Sequence, residues 1–165
     1  MKNVRKVLVA LALSEYSQGA YEFAADFAQV TGAELIVANI INERDVESVQ
    51  TISAMGYAVD GERYIANVKA ERARMLEEIM SASDRPRDRT RTVLTMGNPM
   101  DEILKLIVAE SVDVVVMGPK GRTDLEHVLV GSVADKIFRR SPATVISYRG
   151  GKLAERYKHR IEKHL

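Results

Sequence analysis

One stretch of this chain places glycine, lysine and serine at spacings suited to holding a phosphate. It reads Gly118-Pro119-Lys120-Gly121, then nine residues, then Gly131-Ser132. Glycine permits positive φ and lets backbone N–H groups approach a ligand with no Cβ in the way. Gly131-Ser132 opens a helical pattern, and the free N–H groups and positive dipole end of a helix start favour an anion. Lys120 adds a point charge and Ser132 a hydroxyl donor. Neither GxxxxGK[ST] nor GxGxxG occurs here, so neither a P-loop NTPase nor a standard dinucleotide binder is indicated. Each residue also has a purely structural use. Ser132, with Asp135 three residues on, fits a capping box, and Lys120 fits a solvated loop charge.

Five short β-rich runs alternate with segments of helical period and must position this stretch. Val7–Leu13 is a continuous apolar run, as expected for a central parallel strand covered on both faces. A helix over Tyr16–Val30 follows, ended by Gly32. Glu34–Ile41 is a second strand. Residues 42–60 are poorly patterned and read as a long connection. A charged helix from Glu62 to about Ser81 offers Ile65, Val68, Ala73, Met75, Leu76 and Ile79 as an inner face. Asp84–Arg91 reads as a loop whose arginines, at 85, 87, 89 and 91, are solvated, and Thr90–Thr95 as a third strand. Asn98-Pro99 opens a helix that ends near Ser111, with Asn as N-cap and Pro at its first position. Val112–Met117 is a fourth strand, Ser132–Arg140 a helix, and Ala143–Tyr148 a fifth strand. This alternation implies one α/β domain over residues 1–149: an open five-stranded parallel sheet, helices on both faces, in the Rossmann-like order 3-2-1-4-5. Ligands of such sheets bind outside the carboxyl ends of the strands where the order reverses, which brings the Ala12–Ser17 and Gly118–Ser132 loops together. Lys152–Leu165 reads as a basic helical extension within residues 150–165.

Composition narrows the function. At 165 residues and 46% hydrophobic, the chain can bury a real core. Its net charge of +1 argues against bulk attraction to nucleic acid or membrane. The tail from Arg149 to Leu165 carries +4, leaving −3 elsewhere, and fits packing on its own domain, pairing across a dimer, or an acidic partner. There is no cysteine, which excludes thiol catalysis and fits a reducing cytoplasm. Lys2, Arg5 and Lys6 ahead of Val7–Leu13 superficially suggest a signal peptide. The run is too short and Glu15 follows at once, so a buried first strand is expected instead. No apolar stretch approaches the roughly 20 residues needed to span a bilayer.

The pattern G-x2-G-x9-G-S/T after a fourth strand resembles the nucleotide-binding signature of the universal stress protein family. The opening VLVALALSEYS, the strand ELIVANI, GNPMDEILKLIVAESVDVVVMG and the closing SPATVIS are similar too, over roughly residues 4 to 148. The resemblance implies ATP or a related adenine nucleotide as ligand. Gly118, Gly121, Gly131 and Ser132 would line its phosphates, with Met117, Lys120, Val133 and Ala134 at neighbouring contact positions. Ile40 would meet adenine through its backbone, and Ala10, Leu11 and Ala12 would face the nucleotide from the end of the first strand. Gly97 lies at the site's edge. The family usually has an Asp where this chain has Ala12. Losing one charged hydrogen bond is worth about 1.5–3 kcal/mol, or about ten- to a hundredfold in affinity. Weaker binding or a different preferred nucleotide follows, and Mg2+ loses an oxygen ligand.

The leading expectation is a cytoplasmic regulatory protein of the universal stress response, a homodimer through Ala143–Tyr148, in which nucleotide occupancy biases a protein partner surface. Neither nucleic-acid binding nor membrane insertion is expected. A slow ATPase or phosphotransferase, and an interaction module with a vestigial pocket, are the alternatives. No catalytic residue is assigned: His127 beside Asp124 and Glu126 is not required by its spacing to reach a water, and His159 and His164 read as surface residues.

Overall fold

Val7, Leu8 and Val9 have no exposed surface at all, as a strand sandwiched between two helical layers requires. The computed structural model describes residues 3–55, 60–119 and 131–163. The first strand, β1 (Lys6–Ala10), lies between β2 (Glu34–Asn42) and β4 (Val114–Met117). β3 (Thr90–Gly97) pairs outside β2, and β5 (Thr144–Ser147) outside β4. All four pairings are parallel, and the sheet order is 3-2-1-4-5, as the alternation of elements led us to expect.

The two faces of the sheet carry separate cores. Val7, Val9, Leu35 and Val37 pack under α1 (Ser17–Thr31) and α3 (Gly61–Ser81). Leu8, Ile36, Val115 and Met117 pack under α4 (Pro99–Ala109) and α5 (Ser132–Arg140). Alternation within each strand sends neighbours to opposite layers, and each fully buried Val, Leu or Ile contributes about 1.5–3 kcal/mol. α3 contributes Leu76 and Met80 as its buried residues, whereas Ala73, expected on that inner face, is exposed.

Local chemistry sets several boundaries. Gly32 adopts φ 69° and ends α1, the left-handed cap that glycine takes without a Cβ penalty. The Asn98 side chain accepts from the N–H groups of Met100 and Asp101, with Pro99 opening α4. The Asp113 carboxylate accepts from the backbone N–H groups of Arg5 and Lys6, joining the starts of β1 and β4.

Three expectations are corrected. Residues 43–54 form a helix, α2 (Glu43–Ala54), rather than a connection without structure. It starts directly from β2, with Asn42 Oδ1 accepting from Arg44 N at 3.2 Å, acidic residues in its first turn, and Val46 buried. Strand β1 ends at Ala10, and beyond Leu11 the chain turns away, with Leu13 at φ 54°. The arginines of the 84–91 segment are not simply solvated. Arg85 forks onto Asp26 with two bonds of 2.9 Å, and Arg87 forks onto Glu77 at 2.8 and 2.7 Å. Arg89 donates to the Gly32 carbonyl, and Arg91 bridges Glu34 and Glu110.

After β5, Tyr148 lies against Gly19 of α1 and against Gly150, with Phe23 at 5.8 Å between ring centroids. The terminal helix α6 (Gly151–Glu162) follows and buries Leu153, while Arg149 sits 5.0 Å over the Tyr157 ring. Among the described residues, no helix is long and apolar enough to cross a membrane.

Candidate functional site

Ala10 of β1 and Met117 of β4 are register partners, so both strands end at the same level, at the point where the sheet order reverses. Beyond them the chain makes two turns that face each other. After β1, Leu11 N donates to the Ala38 carbonyl at 2.9 Å, which keeps the chain on the sheet for one more residue. The next turn is closed locally. Ser14 N donates to Ser17 Oγ at 3.0 Å, and Ser17 N to the Ser14 carbonyl at 3.0 Å. After β4, Gly118 leads away, and Gly131 returns with its N–H donating to the Pro119 carbonyl at 2.7 Å.

Between these turns lies a cavity of about 270 Å³. Part of its lining is apolar, formed by Ala10, Ala38, Ile40, Ile103, Met117 and Val133 from the core under α4 and α5. The lining also carries the polar residues Ser14, Tyr16, Ser17, Asn39, Asn42, Asp45 and Arg72, beside Leu11 and Ala20. The pocket therefore lies at the carboxyl edge of the sheet and offers both apolar and hydrogen-bonding groups. That combination suits a small molecule with a flat apolar part and a polar part.

The start of α5 supplies donors. Its first intrahelical bond runs from Asp135 N to the Gly131 carbonyl at 3.0 Å, so the N–H groups of Ser132, Val133 and Ala134 precede the helical ladder. All three residues line the cavity. Ser132 does not cap this helix. Gly131 occupies the N-cap position without a side-chain bond, and Asp135 turns to Arg139 with two bonds of 3.1 Å instead of reaching back. The expected capping box is absent for that reason, and the exposed Ser132 hydroxyl is not spent on it.

Leu11, Ala12, Gly118 and Gly131 also line the cavity, so the two segments singled out by spacing do converge there. Lys120, Gly121 and His127 lie outside the described residues. Gly97 does not line the cavity; a Cβ on it would press on Glu102 of α4.

Ser14, Tyr16 and Ser17 belong to the loop that the sequence reading placed here, whereas Asn39, Asn42, Asp45 and Arg72 escaped it, and Asn39 is the most informative of these. It is 3% exposed, and its Nδ2 donates to the Leu11 carbonyl at 2.7 Å. Its Oδ1 is buried with no hydrogen-bond partner among the described residues. An amide inside the otherwise apolar ELIVANII run is a signal that could have found it. Tyr16 lies nearby on the turn; burial, and then a hydrogen bond with Glu15, hold its phenol above the ordinary tyrosine range. Asp45 is the single carboxylate among the described lining residues, which by itself is no cage for Mg2+. No group of three metal-binding side chains occurs among the described residues.

Comparison with known proteins agrees with this architecture. The chain belongs to the universal stress protein family, whose model matches residues 3–149. It is 26% identical over 150 residues to the universal stress protein MJ0577 of Methanocaldococcus jannaschii, covering 86% of this chain and 93% of that protein. The solved MJ0577 structure superposes with a TM-score of 0.68 at 23% identity, over 91% of this chain and 99% of that one. A universal stress protein in complex with cAMP superposes with a TM-score of 0.59 at 21% identity, over 89% and 98% of the two chains. The Archaeoglobus fulgidus universal stress protein in complex with dAMP gives 0.56 at 16% identity, over 88% and 98%.

Proposed function

We propose that this protein binds an adenine nucleotide in the cavity between β1 and β4, and that occupancy regulates its association with a partner. The observation that carries the reading is the cavity's chemistry at its α5 end. Three backbone N–H groups outside the helical ladder, on Ser132, Val133 and Ala134, border a pocket whose lining is partly apolar. Such a helix start attracts phosphate oxygens, and the apolar part of the lining accepts a purine. The cAMP and dAMP complexes of similarly folded relatives supply the ligand class. In this reading Ala10, Leu11, Ala12 and Ile40 border the base and ribose. Met117, Gly118, Gly131 and Ser132 approach the phosphates, joined by Lys120 and Gly121 from outside the described residues. With Asp45 as the one described carboxylate, the protein holds the nucleotide chiefly through backbone and hydroxyl donors, and Mg2+ is not required of it.

The link to assembly is α5 itself. The helix that borders the ligand also packs on β5, the open edge strand, through buried Ile137 and the half-buried Ala143 and Val145. An edge strand with unpaired backbone groups needs covering, and a second copy of the chain through Ala143–Tyr148 does so. The setting is a cytoplasmic homodimer.

Isothermal titration with ATP, ADP and AMP, together with thermal-shift melts, tests the reading. Saturable binding with a raised Tm is expected. No heat and no shift at millimolar nucleotide would overturn it.

A further inference from the structure

We propose that Tyr16 ties the cavity to the tail helix α6, so that a bound nucleotide tightens α6 against the domain and a docked α6 tightens the nucleotide. The proposal rests on the adenine-nucleotide reading and adds to it a positioning residue and an element that responds.

The geometry starts from Tyr148. A Cβ on Gly19 would come within 2.5 Å of the Tyr148 hydroxyl, and one on Gly150 would meet the same oxygen. Gly19 of α1 and Gly150, at the N-cap of α6, are therefore neighbours, and α6 departs from beside the first turn of α1. Tyr16 opens that same turn. Its dihedrals are already helical, φ −87° and ψ −11°, and its carbonyl accepts from Ala20 N at 3.0 Å. Positions 16, 19 and 23 thus share one face of α1, on which the Phe23 ring lies 5.8 Å from that of Tyr148. Tyr16 prolongs this face by one turn and lines the cavity.

Two residues of α6 also act on the Tyr16 phenol. Burial and Glu15 raise it most; beyond them, the Arg156 cation favours its ionisation and Tyr157 opposes it. Tyr16 therefore stands on the lining of the cavity and within electrostatic reach of α6 at once. Among the described residues, Leu153 is the buried residue of α6, and it belongs to neither sheet core. Tyr157 is half-buried and Arg156 exposed. A 12-residue helix is marginal on its own in water, so α6 depends on its docking to the domain. Tyr16 is itself half-buried, and a ligand filling the space beside it narrows its rotamers. A side chain fixed from the cavity gives α6 a firmer surface, which is the differential contact that a coupling needs. All of α6 lies beyond residues 3–149, the span matched to the family, so family membership assigns it no role.

Hydrogen exchange read by mass spectrometry on the full chain, with and without saturating ATP, tests the proposal. Wild-type peptides from α6 should exchange about fivefold more slowly with ATP, the low end of couplings between sites. Tyr16→Ala should still bind ATP, more weakly, and lose that protection, whereas Tyr16→Phe, which keeps the ring, should retain it. Approached from the tail, Leu153→Glu should undock α6 and weaken ATP binding about fivefold, since coupling is reciprocal. Unchanged α6 exchange at confirmed ATP saturation overturns the proposal, as does a Tyr16→Ala protein that keeps the protection or a Leu153→Glu protein with wild-type affinity. If Tyr16→Ala fails to fold by thermal melt, wild-type exchange and Leu153→Glu decide. If wild type binds no ATP, the nucleotide reading itself fails and takes this one with it. That result is distinct from saturable ATP binding with an unmoved tail.

Discussion

Gly131 donates its backbone N–H to the Pro119 carbonyl at 2.7 Å, so the residues on either side of the 120–130 segment are held together. One donor of the α5 start is consumed by this closure, and those of Ser132, Val133 and Ala134, which precede the helical ladder, are the ones the proposed reading assigns to a ligand. Gly131 itself has φ −67° and ψ 153°, a conformation open to any residue. Its backbone therefore does not require glycine. We expect Gly131→Ala to fold with a Tm close to wild type and to bind ATP at least about tenfold more weakly, because a Cβ would stand where a phosphate must approach. Paired melts and titrations check this, and unchanged affinity would place the phosphates elsewhere.

The Glu77–Arg87 fork predicts part of the acid response. Hydrogen bonds from Arg87, then from Ser81, hold the Glu77 carboxyl well below its ordinary 4.5, at about 2. A carboxylate depressed in the folded state contributes stability above its unfolded pKa and loses it as pH falls through the folded value. The window therefore runs from about pH 4.5 down to about 2. Glu77→Gln should lower Tm at neutral pH and make the fall of Tm across that window shallower. Melts at half-unit pH steps read this directly; an unchanged slope would show that the fork is idle in solution.

Tyr21 is completely buried on α1, and its hydroxyl has no hydrogen-bond partner among the described residues. Burial accordingly holds its phenol above the ordinary range. Removing an unsatisfied hydroxyl while keeping the ring should be neutral or stabilising. Tyr21→Phe is expected to match or exceed the wild-type denaturation midpoint, whereas Tyr21→Ala should cost about 3–5 kcal/mol through the cavity it leaves. A Tyr21→Phe loss above about 1 kcal/mol would mean that the hydroxyl has found a partner in solution.

The open edge of β5 can be tested without touching the sheet. Thr144 N donates to the Asp113 carbonyl and Tyr148 N to the Met117 carbonyl, both toward β4. Strand alternation turns the N–H groups of Val145 and Ser147 the other way, to the free edge. Ser147→Pro removes one of those outward donors and none of the inward ones. It should leave the far-UV circular dichroism unchanged and shift sedimentation from dimer to monomer. A variant that still sediments as a dimer would move the interface away from this strand.

How far the sequence could be read depended on whether the governing contacts were local. β1, β2 and β4 were legible because a strand buried on both faces must be apolar throughout, and α4 because Asn98 and Pro99 mark its start in the sequence itself. The glycine spacing likewise led to one wall of the cavity. α2 was missed because Val46 is the one buried side chain described on it, too little for a helical period to show. The arginines at 85, 87 and 91 looked solvated because their acids, at 26, 77, 34 and 110, are brought close only by the fold. The Ser132 cap failed by a single residue, the margin within which helix starts are read. Asn39 was passed over because one polar residue near the end of an apolar run resembles a strand terminus.

Tyr148 gives the molecule a shared bearing. Its ring rests on Gly19 in the first turns of α1 and on Gly150 ahead of α6, and a Cβ at Gly19 would already come within 2.5 Å of its hydroxyl. The helix that begins beside the cavity, the strand at the open edge and the tail therefore turn on one aromatic side chain, with two glycines as its seats. Should these contacts couple edge pairing to the proposed ligand, then by linkage whatever factor pairing applies to ligand affinity, the ligand applies to pairing in return.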